Sequence, residues 1–442
     1  MTAFAPGLRP YRRALVILAA SMLLFAAAVG LQFLGDDPAG ANSPAPAPVE
    51  RSAAAMLRRF QQRLQQNPED SYAYAQLGLT YMQRLRETAD ASLYAKAEQA
   101  LAEALKRDPD QFDAILGQGI LALSRHDFHA ALAWGQRARA LGPYSAEALG
   151  ILVDAQVELG RYDEAVATAQ AMVNLRPDLA SYSRISYLRE LHGDVPGAIA
   201  AMQAAVDASM AGTEANLWVQ TQLGHLHFNR GDLDQAEQAY RKALAAKADY
   251  PFAQAGLARV RAAQGRSDEA IGLYKPLVAR LPLPEFAVAL GELLQATGRM
   301  SEAEQQYDLV RAIYQLQASA GVNVDAEAAL FEADHGADAV RAVEQARAAY
   351  RLRPSLFAAD VLAWALYRAG EDEQAKSYSQ EALRLGSQDA LWHYHAGMIA
   401  HALGDDTAAA EHLQAALAIN PHFSPLFAPQ ARAWLRQLGA RP

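Results

Sequence analysis

Two residue types recur along this chain at a nearly constant interval of about 34 residues. One of the two is glycine followed by a charged residue, and most successive glycines of this kind are separated by this interval. They are Gly160, Gly193, Gly231, Gly265, Gly298, Gly370 and Gly404, and prolines repeat on the same interval at Pro109, Pro143 and Pro177. Such a period is typical of proteins that stack small similar units. The chain is therefore expected to lack a single closed core, and its function is expected on an extended surface.

Each unit is predicted to be a pair of antiparallel helices. Glycine supplies the positive φ of a tight turn at little steric cost, and an aspartate after it caps the second helix. Alanine where the helices cross allows two backbones to approach closely. Proline then ends the second helix and directs the chain to the next unit. One pair cannot bury its apolar face alone, so neighbouring pairs are obligatory.

The pattern within a unit identifies the repeat. One unit begins with the large–small pair Leu223 and Gly224. Gly231 and Asp232 follow at its turn, and Tyr240 lies in its second helix. This pattern resembles the tetratricopeptide repeat (TPR). Copies in the same register include Leu77, Gly78, Tyr81, Ala97 and Pro109; Leu152, Tyr162, Ala165 and Pro177; Leu290, Gly291, Ala303 and Tyr307; and Gly397, Ala409, Ala416 and Pro421.

The resemblance extends over about ten copies between residues 69 and 421. His227 departs from it, because the family usually has an aromatic residue at that position. The resemblance implies an all-α fold, a right-handed α-solenoid of about ten helix pairs. It also implies that the chain binds other proteins.

Composition and charge narrow the function further. The 442 residues carry a formal net charge of −9 with no basic stripe, so nucleic acid is not expected as a partner. The chain contains no cysteine, which excludes disulfides, thiolate metal sites and a cysteine nucleophile.

The N-terminus predicts a membrane anchor. Arg9, Arg12 and Arg13 precede an uncharged run over residues 14–34, long enough to span a bilayer core of about 30 Å as one transmembrane helix. The basic flank is expected to stay in the cytoplasm, which places the repeats on the other side of a bacterial cell membrane. A cleaved signal peptide is the alternative, since residues 39–41 (Ala-Gly-Ala) offer a cleavage site. The protein would then be secreted or periplasmic.

These features divide the chain into five segments. Residues 1–13 are the basic flank, 14–34 the anchor, 35–50 a Pro/Ala-rich linker, 51–421 the TPR solenoid and 422–442 a C-terminal capping helix.

No catalytic motif is present in the sequence. It has no phosphate-binding Gly-Lys-Ser loop, no nucleophile elbow and no His-Glu-x-x-His, so we expect neither an enzyme nor a cofactor. Histidine pairs such as His393 and His395 lie about 200° apart on a helix and face different ways. We therefore predict no metal site.

The resemblance also implies where a partner would bind. TPR proteins usually bind peptides on the concave face, which is lined by the first helix of each pair. An alternative is that Trp364 and Tyr367 pack between repeats instead. Carried onto this sequence, the family's inward positions are Arg184, Tyr187, Glu190, Trp218, Thr221, Gln222, His225, Phe228, Asn229, Arg259, Glu292, Gln295, Asp360, Trp364, Tyr367, Arg368, Tyr394 and His395.

The sequence thus predicts a protein–protein interaction scaffold at the bacterial cell envelope, with envelope or membrane complexes as partners. Two other functions stay open. One is an accessory subunit or metal-dependent enzyme that uses the histidine-rich C-terminal repeats. The other is a structural TPR protein that self-associates.

Overall fold

The computed structural model describes residues 53–336 and 338–440, and every regular element in these residues is a helix. The expected all-α fold is confirmed. The helices are α1 (Ala53–Gln66), α2 (Ser71–Thr88), α3 (Ser92–Arg107), α4 (Phe112–Ser124), α5 (Phe128–Leu141), α6 (Ala146–Glu158), α7 (Tyr162–Leu175), α8 (Leu179–Leu191), α9 (Val195–Asp207), α10 (Glu214–Asn229), α11 (Leu233–Ala246), α12 (Pro251–Ala263), α13 (Ser267–Arg280), α14 (Pro284–Ala296), α15 (Met300–Ser319), α16 (Asp325–His335), α17 (Ala339–Leu352), α18 (Leu356–Arg368), α19 (Asp372–Leu383), α20 (Ala390–Ala402), α21 (Asp406–Ile419) and α22 (Phe427–Gln437).

The expected membrane anchor over residues 14–34 lies outside the described residues, as do the basic flank and the linker. Among the helices that are described, none combines the length and the apolar character needed to cross a bilayer.

The helices from α2 to α21 form ten successive pairs, the number that the repeat predicts. Helices of the same pair pack tightly, as α2 does with α3 and α20 with α21. Helix α1 packs on α2 before the first pair, and α22 packs on α21 after the last.

The turns within the pairs have the geometry that their sequence predicts. Gly193 has a φ of +74°, and the next residue, Asp194, accepts a hydrogen bond from the Gly197 N–H at 2.9 Å. This left-handed conformation is costly for residues with a Cβ, which explains the periodic glycine. His126 takes the glycine's place in one turn with a φ of +58°.

Large side chains of second helices rest against glycines of first helices. The Tyr240 ring, fully buried in α11, packs between Gly224 of α10 and Gly256 of α12. A Cβ on either glycine would fall well inside van der Waals contact with this ring. The large–small pattern of the sequence therefore has a steric cause, because the glycines make room for the aromatic ring of the facing helix.

We expect Gly256→Ala to lower the free energy of unfolding by about 1–3 kcal/mol, because the buried Tyr240 ring cannot move aside. The control is Gly272→Ala on the exposed side of α13, where an added Cβ meets no atom within 4 Å. That substitution should stabilise the helix by about 0.5–1 kcal/mol. Thermal and denaturant unfolding of the two variants should move in opposite directions.

The chain divides into two compact units. Among the described residues, unit 1 contains 53–155 together with 316–323, and unit 2 contains 156–315, 324–336 and 338–440. Within unit 1, the Asn323 N–H donates to the Arg125 carbonyl at 2.9 Å, so the segment after α15 joins residues far earlier in the chain.

Within unit 2, distant parts of the chain return to touch each other, and we name these contacts the return contacts. They occur at three successive turns. Gly160 lies against Pro354, Gly193 against Gly386, and Gly231 against the segment 419–421. Because the separation in sequence is nearly constant, successive repeats of the early segment meet successive repeats of the later one.

The return contacts satisfy polar groups at helix ends. The Leu356 N–H, at the start of α18, donates to the Tyr162 hydroxyl at 2.7 Å. The Asn420 amide, 2% exposed, donates to the Phe228 carbonyl near the end of α10 at 3.0 Å. The Leu356 N–H has no partner within its own helix, and the Phe228 carbonyl, which also accepts from the Gly231 N–H at 2.8 Å, gains a second donor, so these bonds add to the local caps. Buried Arg353 adds ion pairs, at 3.7 Å to Glu158 and 2.7 Å to Glu327.

Candidate functional site

The first helices of successive pairs lie side by side in unit 2. Helix α10 packs against α12, α16 against α18, and α18 against α20. We call the surface that these first helices form the first-helix face. All eighteen residues predicted to bind a partner lie on first helices of unit 2. Their role in binding stays a prediction, but the structure separates those that solvent reaches from those that it does not.

Ten of the eighteen side chains are accessible on the first-helix face. Their chemistry is mixed, with phenol rings beside amide, cationic and anionic groups. Such a mixture suits recognition of a peptide or protein surface. Tyr187, Asn229 and Arg368 are exposed, whereas Glu190, Gln222, His225, Arg259, Glu292, Gln295 and Tyr367 are half-buried.

The other eight side chains are buried within the helix stack, where they contribute to packing. Arg184 donates to the Ala180 carbonyl one turn earlier at 3.1 Å, and the Phe228 ring lies 4.1 Å beneath the guanidinium of Arg259. The eight are Arg184, Trp218, Thr221, Phe228, Asp360, Trp364, Tyr394 and His395.

A buried aromatic cluster surrounds Trp364, which is 2% exposed. Its ring stacks on Tyr367 at 4.9 Å and on His395 at 4.1 Å, and it also contacts Tyr394 and Phe427. Trp364 therefore packs between repeats, which is the alternative that the sequence left open.

His395 forms a buried dyad with Asp360. Its Nδ1 lies 3.0 Å from the Asp360 carboxylate, and both side chains are excluded from solvent. Because no substrate can reach a dyad enclosed in this way, the geometry favours a role in joining α18 to α20.

Glu190, which is half-buried on the first-helix face, is a carboxyl with a strongly raised pKa. Burial, and to a smaller extent the nearby Asp389, raise its pKa to about 7 from an ordinary 4.5. The Asn229 amide donates to it at 3.4 Å and partly opposes this rise. Asp389 in turn caps α20 by accepting from the Leu391 N–H at 2.8 Å. Glu190 thus lies near the return contacts of unit 2.

The raised pKa of Glu190 predicts a pH dependence of stability. A carboxyl whose pKa is higher in the folded state stabilises the fold fully below its unfolded value, and this stability is lost as pH rises through about 7. Glu190→Gln should therefore flatten the fall in melting temperature between pH 5 and 8, and leave the variant more stable by about 2 °C at pH 8. Exposed Glu373→Gln on α19 is the control and should keep the wild-type slope. An unchanged slope in Glu190→Gln would show that the pKa of Glu190 is not raised in the folded state.

One group of residues that could hold a metal was not predicted from the sequence. Glu292 from α14 converges with Asp334 and His335 from the end of α16, and one ligand atom of each lies within 4.8 Å of the others. Asp334 and His335 lie more than one whole repeat beyond Glu292, so no short motif connects them. Burial raises the pKa of Asp334 to about 6.

The histidine pairs of the sequence do not converge on a common centre. His393 Nδ1 lies 3.1 Å from His412 Nδ1, whereas His395 faces Asp360, as their positions on different faces of the helix predict. His225 Nδ1 lies 2.8 Å from the Tyr240 hydroxyl.

Comparison with known families settles the nature of the repeat. Residues 84–146, 152–213 and 361–422 match the tetratricopeptide repeat, and residues 227–287 match a second form of the same repeat. Together these segments cover more than half of the chain. The chain is a tetratricopeptide repeat protein. TPR proteins generally bind other proteins, and the helix pairs of this chain are those of this family.

A relative shares part of this TPR chain. Over 217 residues it is 26% identical to cellulose synthase 1 operon protein C of Komagataeibacter xylinus. The aligned part makes up 49% of this chain and 14% of that protein, so the TPR chain spans a small fraction of its relative.

Several solved structures are similar to the TPR chain at low identity. The Cut9–Hcn1 hetero-tetramer of the APC/C is 17% identical, with a TM-score of 0.39, over 88% of this chain and 84% of that one. The human IFIT1 dimer with PPP-AAAA is 15% identical, with a TM-score of 0.47, over 75% and 78%. YrrB, described as a TPR protein with an unusual peptide-binding site, is 17% identical, with a TM-score of 0.28, over 45% and 96%. At these identities the likeness concerns the fold alone.

Proposed function

We propose that this TPR protein is a scaffold that binds a partner protein, through an extended segment, on the first-helix face of unit 2. The observation that carries the proposal is the set of accessible side chains along successive first helices, from Tyr187 of α8 to Arg368 of α18. Aromatic anchors between amide and charged groups suit an extended peptide. The mechanism is binding, with no bond-making step.

We also propose that the scaffold acts at the bacterial cell envelope, held by a membrane helix over residues 14–34. The basic residues before this apolar run support an orientation with the repeats outside the cytoplasm. The named relative makes a polysaccharide synthase complex the first class of partner to test. A reporter enzyme fused after Pro442, active only outside the cytoplasm, tests the orientation. Activity confined to a cytoplasmic reporter would overturn it.

Site-specific photocrosslinking in cells tests the binding face. A photoreactive phenylalanine analogue at Tyr187, which is 39% exposed on the first-helix face, is expected to capture a discrete partner. The matched control is the same analogue at Tyr144, which is 85% exposed in the loop before α6. Comparable adducts from both positions, or none from position 187, would show that the first-helix face is not the binding surface.

Replacing charged side chains refines this test. Arg259→Ala should weaken capture at position 187, because this cation lies on the same face. It is on α12, two helix pairs after α8, which carries Tyr187. Arg241→Ala on the second helix α11, where the side chain is 64% exposed, should leave capture unchanged.

A further inference from the structure

Two carboxylates and an imidazole come together from two different helices, those of Glu292, Asp334 and His335. They form the sole group of three or more potential metal-ligating side chains found in residues 53–336 and 338–440. The separation of at most 4.8 Å between one ligand atom of each is small enough for a single ion to reach all three after side-chain rotation.

His335 is held rigidly with one nitrogen directed at the carboxylates. Its ring stacks on Tyr307 at 4.2 Å and packs against Phe331 at 5.3 Å, which leaves the side chain 3% exposed. Its Nε2 lies 3.3 Å from Glu292 Oε1, yet no described residue forms a hydrogen bond with this nitrogen. A buried nitrogen in this state is costly unless another ligand satisfies it.

Asp334 is oriented by a second contact. One carboxylate oxygen, Oδ1, accepts a hydrogen bond from the Trp364 indole N–H at 2.7 Å. A bond of this kind fixes the carboxylate plane and leaves the other oxygen for an ion, as outer-shell partners do in metal sites. In the described part of the chain, neither Glu292 nor Asp334 forms an ion pair with a lysine or arginine, so their negative charge is not neutralised by a basic side chain.

We propose that Glu292, Asp334 and His335 bind a divalent transition-metal cation, with zinc as the best fit. One imidazole nitrogen with two carboxylate oxygens is a donor set for such ions, whereas Ca²⁺ and Mg²⁺ prefer oxygen alone. Ligand atoms about 3.3 Å apart surround a tetrahedral ion at about 2.0–2.2 Å, which is the separation that Glu292 Oε1 and His335 Nε2 already have. A small side-chain rotation then brings an Asp334 oxygen to the same ion. Three protein ligands leave the fourth position for water or for a group of a partner. The site does not depend on the proposed binding of a protein, because the cation itself is the ligand.

The test is zinc retention by the untagged full chain after chelator treatment and dialysis against Zn²⁺. We expect one zinc per chain, with at least tenfold weaker binding in Glu292→Gln and in Asp334→Asn. His393→Gln, which removes one ring of the His393–His412 pair, is the matched control and should retain zinc as the wild type does. Circular dichroism of each variant verifies that the helices are intact.

The visible absorption of bound Co²⁺ tests the site in the wild-type chain, without any substitution. Co²⁺ bound at this site should show the intense visible absorption of a four-coordinate ion, and added Zn²⁺ should displace it. The proposal is overturned if the wild type retains no zinc, if His393→Gln abolishes retention while Glu292→Gln does not, or if Co²⁺ keeps the weak spectrum of the hydrated ion.

Discussion

Gly193→Ala is expected to lower the stability of unit 2 by about 2–4 kcal/mol, much more than the same change at turn glycines outside the return contacts. Part of the cost comes from a φ of +74°, which an alanine adopts only with strain. The larger part comes from the return contact, because the new Cβ would overlap the carbonyl oxygen of Gly386, several repeats further along the chain. A backbone oxygen cannot rotate away, so the two segments must separate.

Gly265→Ala is the matched control for this prediction. Gly265 occupies an equivalent turn with a φ of +77°, but an added Cβ there meets no atom within 4 Å. Gly265→Ala should therefore lower the stability of unit 2 only by the cost of the strained backbone, about 1–2 kcal/mol.

Hydrogen exchange of the full chain measures the difference directly. Gly193→Ala should increase exchange at residues 354–356, 384–389 and 419–421, whereas Gly265→Ala should leave these segments protected. Equal exchange in the two variants would mean that the return contacts contribute little to stability.

Trp364→Ala is expected to lower the free energy of unfolding by about 3–5 kcal/mol, the usual cost of removing a fully buried large aromatic side chain. The ring is 2% exposed and contacts aromatic side chains of α18, α20 and α22. The substitution would leave a cavity among them and remove the hydrogen bond to Asp334.

Two further variants separate the causes. Trp364→Phe fills most of the cavity but has no N–H, so it should recover more than half of the loss. Trp134→Ala, on the half-buried surface of α5, should cost less than Trp364→Ala. Denaturant unfolding followed by circular dichroism compares the three. If Trp364→Ala cost no more than Trp134→Ala, the aromatic cluster would not be an energetic centre of the C-terminal repeats.

The candidate surface was only partly predictable from sequence. Position within the repeat placed all eighteen residues on first helices, since a helix pair is a local structure with a fixed register. It did not distinguish Tyr187, which solvent reaches, from Trp364, which it does not. Exposure depends on how closely the next first helix packs and on which side chains that helix carries. The position of a residue within its own repeat specifies neither of these.

The sequence by itself determined the repeat. Its period, its turn glycines and its large–small pairs act within one or two helix pairs, where Gly256 accommodates Tyr240 and Asp194 caps α9. Tertiary structure alone decided the return contacts, such as the bonds from Leu356 to Tyr162 and from Asn420 to Phe228, 194 and 192 residues apart. It also decided the convergence of Glu292, Asp334 and His335. The physical reason is that each pair rotates slightly against the next. These small rotations add over several pairs, so the residues that finally meet depend on the accumulated angle and not on any local pattern.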